Sequence, residues 1–95
     1  MTAVEIQERL QQQIKAQVLK VEDDSAKHKR HKQSQGKGGH YKLLIVSGEF
    51  EGMSLVQRHR KIYDVLQMHG STQIHALAIS AWTEKEWKEK NAASS

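Results

Sequence analysis

Six histidines and no cysteine set the chemistry open to this 95-residue chain. Without thiols there are no disulfides and no thiolate ligands, so a metal site must use imidazole, carboxylate or a partner's ligands. His28 and His31 stand as H-x-x-H, His40 precedes an apolar run, and His75 lies in the alternating run Ile74-His75-Ala76-Leu77. An H-x-x-H pair in a polar segment suits a zinc or nickel ion as well as it suits a plain loop. The carboxylate pairs Asp23-Asp24 and Glu49/Glu51 come without a base–nucleophile set. Turn and loop chemistry accounts for them, so an enzyme is not expected. Formal net charge is +4, which permits nucleic acid or an acidic protein as partner. The excess is concentrated. Lys27, Lys29, Arg30, Lys32 and Lys37 follow one another with no acid between them, and Arg58, Arg60 and Lys61 form a second group.

Elements to position these side chains can be read from caps and periodicity. At this length the chain makes one domain with a modest core, and 37% hydrophobic content is lean but too rich for disorder. No run of about 18 apolar residues occurs, so no membrane helix is expected. Glu5 and Glu8 among glutamines read neither as a secretory signal nor as a transit peptide. Thr2-x-x-Glu5 is a capping box, and Ala3, Ile6, Leu10 and Ile14 share one face, predicting a helix over 3–17. Residues 18–22 form a short strand. Residues 23–39 lack apolar periodicity, end in Gly36-Lys37-Gly38-Gly39, and read as a mobile loop.

Residues 40–47 are the strongest strand, apolar on both faces. A turn over 48–52 leads to a second capping box, Ser54-x-x-Gln57, and a helix to about His69, with Gly70 as its C-terminal stop. Residues 73–80 are a strand, with Ile74, Ala76 and Ala78 on one face and His75, Leu77 and Ile79 on the other. Thr83-x-x-Glu86 starts a last short helix, and 91–95 are a disordered tail. The order α-β-β-α-β-α predicts an α+β fold, a three-stranded mixed sheet with helices packed on it and the first two strands antiparallel.

Phe50-Glu51-Gly52, Leu55, Arg58-His59-Arg60 and Tyr63 give F-E-G-x-x-L-x-x-R-H-R-x-x-Y. With the strand at 40–47, the Ile74-His75-Ala76-Leu77 segment and the closing T-x-x-E-W of Thr83 to Trp87, the pattern resembles the BolA family over residues 4–88. The resemblance implies a type II KH-like fold in a single domain over 1–90. It also implies a non-enzymatic role: partnership with a monothiol glutaredoxin, sharing a 2Fe–2S cluster in iron–sulfur assembly, trafficking or iron-dependent regulation. Bacterial members of the family are also transcription regulators of morphology and stress. The Gly36-x-x-Gly39 spacing does not stand where RNA-binding KH modules carry their G-x-x-G loop, so RNA binding is not implied.

By the same resemblance His75 supplies a cluster ligand, and Asp23-Asp24-Ser25-Ala26-Lys27-His28 favours His28 as the second, with His31 as its alternative. Glutaredoxin and glutathione would bring the thiolates, and no cofactor is expected in the isolated chain, a monomer. Imidazole in place of thiolate raises a cluster's potential. The alternative function is DNA-binding regulation through the second helix and the basic loop, with Arg58, Lys61, Arg60, Lys29 and Arg30 as contacts. On the helical wheel His59 falls inside the apolar face of Leu55, Val56, Ile62, Tyr63 and Leu66, which makes it a structural residue with Phe50, Gly52 and Tyr63. Arg58 and Arg60 flank that face on opposite sides, so they do not form one reading stripe. Cytoplasm is the expected compartment, and a mitochondrion or other organelle the alternative for a processed form.

Overall fold

All three capping boxes form in the computed structural model, which describes residues 2–24, 40–68 and 77–93. Thr2 and Glu5 cap α1 (Ala3–Gln13), which buries Ile6 and Leu10. The helix stops four residues before the expected end. Ile14 is extended, at φ −129° and ψ 130°, yet still buried. The reason is tertiary. The Lys15 N–H donates to Glu49 Oε2 at 2.6 Å, and the Lys15 carbonyl accepts from the buried Ser47 hydroxyl at 2.6 Å. Both backbone polar groups of Lys15 are thereby drawn out of the helical ladder.

Strand β1 (Val18–Asp23) pairs antiparallel with β2 (Tyr41–Val46), as expected, and β2 pairs parallel with β3 (Leu77–Trp82). Strand order is β1-β2-β3, a mixed sheet. A 3-10 turn at Gly48–Phe50 follows β2 and drives Phe50 fully into the core. Gly52 has φ +77°, a left-handed conformation that favours glycine. Ser54 and Gln57 then cap α2 (Leu55–Leu66). That helix ends earlier than expected, on Gln67 in the left-handed conformation at φ 58°, so Gly70 is not its stop. The final helix, α3 (Glu84–Ala93), runs three residues into the expected tail.

Ile6, Leu10 and Ile14 meet Leu43 and Ile45 of β2, Phe50, Ile62 and Leu66 of α2, and Leu77 and Ala81 of β3 in one core. Each fully buried side chain of this size contributes about 1.5–3 kcal/mol. The inward parity of Leu77, Ile79 and Ala81 agrees with the alternation read for the third strand. Among the described residues no helix is long and apolar enough to cross a membrane.

Candidate functional site

Three strand ends meet at one end of the sheet. Asp23 closes β1 opposite Tyr41, which opens β2, and Tyr41 is in turn the register partner of Leu77, which opens β3. The segments 25–39 and 69–76 are attached at these ends. His28, His31, His75, Lys29, Arg30 and Gly70 belong to those segments and lie outside the described residues. His40 is described at this end, half-buried, its carbonyl accepting from the Asp24 N–H at 2.7 Å. Burial, then the charges of Asp23 and Glu5, push the Tyr41 hydroxyl above its ordinary pKa. Among the described residues no three histidine or carboxylate side chains gather to hold a metal ion.

The second helix differs from the expectation in phase. Its buried row is Arg58, Ile62 and Leu66, while Leu55 and Val56 are 62% and 60% exposed. Arg58 is therefore no contact residue. Its guanidinium lies inside, with Nε donating to the Met53 carbonyl at 3.0 Å and Nη1 to the Ala81 carbonyl at 3.1 Å. Nη1 and Nη2 also grip both oxygens of Glu86, at 2.7 and 3.1 Å. Glu86 Oε1 accepts in addition from the Thr83 N–H at 2.9 Å, so one carboxylate caps α3 and neutralises the arginine. The Arg58 hydrogen bonds, followed by the Thr83 backbone bond, hold Glu86 at a pKa of about 2. This pair ties α2, β3 and α3 together and gives four of the five guanidinium N–H groups an acceptor.

His59 stands half-buried at the rim of this packing, edge-on to Tyr63 with ring centroids 6.5 Å apart, and is not part of the core. Tyr63 packs against the core as a partly buried residue. Arg60 is exposed, and Lys61 pairs with Glu49 at 3.7 Å. The surface of α2 thus keeps Arg60 and Lys61 as basic groups and presents Leu55 and Val56 beside its start. Spacing alone carried a signal for Arg58: it stands four residues before Ile62 and eight before Leu66. The pairing with Glu86 had no local signal, because the two are 28 residues apart.

A family model described as BolA-like protein matches residues 10–86. The DNA-binding transcriptional regulator BolA of Haemophilus influenzae is 35% identical over 86 residues, which cover 90% of this chain and 81% of that protein. SufE-like protein 1, chloroplastic/mitochondrial, of Arabidopsis thaliana is 43% identical over 86 residues, 85% of this chain but 23% of that protein. Among solved structures, a Bol-like protein from Babesia bovis superposes with a TM-score of 0.76 at 32% identity, covering 96% of this chain and 94% of that one.

Proposed function

The chain belongs to the BolA-like protein family, and we propose on that premise that it is a non-enzymatic partner of a monothiol glutaredoxin. It co-ligates a bridging 2Fe–2S cluster through His75 and one histidine of segment 25–39, His28 or His31. The observation that supports this reading is the meeting of Asp23, Tyr41 and Leu77 at one end of the sheet. His75 is two residues ahead of Leu77 in sequence, and the segment with His28 and His31 is tethered at Asp24 and His40. The donor chemistry fits. A chain without cysteine offers imidazole, glutaredoxin and glutathione supply thiolate, and a mixed set of this kind suits a 2Fe–2S centre. Cluster assembly, trafficking or iron-dependent regulation in the cytoplasm is the role that follows. Reconstitution with a monothiol glutaredoxin, glutathione, iron and inorganic sulfide, followed by visible circular dichroism, tests the reading. His75→Ala should alter the spectrum and shorten the life of the mixed cluster, and an unchanged spectrum and lifetime would remove His75 as ligand.

A DNA-binding role is favoured by the name of the Haemophilus influenzae relative. The burial of Arg58 takes one expected contact away and leaves Arg60 and Lys61 on α2. Duplex binding that falls steeply with salt supports that role, and absence of binding at low salt excludes it.

A further inference from the structure

The face of the sheet turned away from the core is not featureless. Lys20 of β1 and Lys42 of β2 stand on it, exposed, and the small residues Ala78 and Ser80 of β3 keep its floor low. Beyond them Trp82, Trp87 and Lys90 rise as a wall, and the whole encloses a cleft of about 530 Å³. That volume lies in the range of small-molecule sites. Three lysines and one acid, Glu22, which stands opposite Lys42 in register, line the cleft, so its lining has a formal charge of +2. Trp87 meets Trp82 edge to face at 6.0 Å, and the Lys90 ammonium sits 5.4 Å from the Trp82 ring centroid. The indole N–H of Trp82 is shielded from solvent and has no acceptor among the described residues, so no hydrogen bond is lost if the ring re-seats.

We propose that this face binds single-stranded nucleic acid, with a base stacked at the Trp82–Trp87 wall and its phosphates along Lys20, Lys42 and Lys90. Flat rings beside a row of cations match the alternation of base and phosphate in a single strand. A base that takes the Trp82 ring face displaces the Lys90 ammonium towards the adjoining phosphate, so the cation already over the ring becomes a phosphate contact. A duplex offers no exposed ring face to the indoles, and a free nucleotide reaches only part of the lysine row. This surface begins one residue from the strand ends that carry the histidine segments, at Glu22, Lys42 and Ala78, and does not include the α2 residues Arg60 and Lys61. Its test uses the chain without a cluster, so its outcome does not depend on cluster binding.

Both tryptophans of the chain lie in this cleft, which makes their fluorescence a local reporter. The experiment titrates the 95-residue chain without a cluster with a ten-nucleotide single strand of mixed sequence, its duplex and a mononucleotide. The expected result is saturable quenching by the single strand, at least tenfold tighter than by the duplex or the mononucleotide. The logarithm of the affinity should fall against log salt with a slope of about −2 for three phosphate contacts. The double variant K20E/K42E should weaken binding at least tenfold while its far-ultraviolet spectrum stays unchanged, since both side chains are exposed. Three results would each overturn the proposal: no quenching at low salt, equal affinity for the duplex or mononucleotide, or undiminished binding by the folded double variant.

Discussion

Arg58→Met should cost the domain about 3 kcal/mol. Methionine keeps the aliphatic packing of a side chain that is 8% exposed, so the loss is electrostatic. The Met53 and Ala81 carbonyls lose their donors, at about 1 kcal/mol each. The paired Glu86 is 44% exposed, so solvent screening reduces the ion pair to about 1–2 kcal/mol, well below what its pKa of about 2 would suggest without screening. In a domain of this size that total lowers Tm by on the order of 15 °C. Urea unfolding at a series of pH values reads both parts. Glu86 has a folded-state pKa below its unfolded value of 4.5, so its stabilisation is fully present above about pH 4.5 and is lost as pH falls towards 2. Wild type should therefore lose the pair's contribution across that window, and Arg58→Met should show a shallower loss, because only the backbone and side-chain bonds of Thr83 still favour the carboxylate. A variant within 0.5 kcal/mol of wild type, or one with the same acid profile, would refute the assignment of Arg58 as an internal strut.

Gly52→Ala should lower stability by about 1 kcal/mol, because φ +77° strains any side chain there. Gly48→Ala should cost less. Its methyl would come within 2.9 Å of Glu84 Oε1, the mobile end of a flexible side chain, and thermal melts of the two variants compare the effects directly. Ser47→Ala removes the buried donor to the Lys15 carbonyl and the acceptor for the Glu49 N–H, and should cost about 1–3 kcal/mol in equilibrium unfolding.

Local signals in the sequence reached the local features of this fold. Each capping box binds partners three residues apart, and each is formed. The alternation of 77–81 fixes the same faces as the folded strand. What escaped was long-range. Ile14 continues the helical spacing of Ile6 and Leu10, but Ser47 and Glu49, more than thirty residues away, end the helix before it. The apolar residues of α2 orient its helical wheel with Leu55 and Val56 inside and Arg58 at the flank of that face. A buried arginine becomes acceptable only once Glu86 and two carbonyls surround it, and those come from the α2 entry, β3 and α3. The composition of Asn91 to Ala93, which offers no large apolar side chain to bury, predicts a tail, yet a helix already started by Thr83 and Glu86 extends through them. For the ligand set, the folded chain adds the common end of three strands, while the choice of His28 or His31 rests with segment 25–39.

The central claim is that this chain donates imidazole nitrogen to a cluster held jointly with glutaredoxin. The most direct measurement is pulsed electron paramagnetic resonance on the reduced mixed complex, built from the chain labelled with 15N at histidine and unlabelled glutaredoxin. The account predicts strong 15N couplings from two imidazoles, one lost in His75→Ala and the other in His28→Ala or His31→Ala. A reduced cluster in the complex with no 15N coupling from this chain would contradict it.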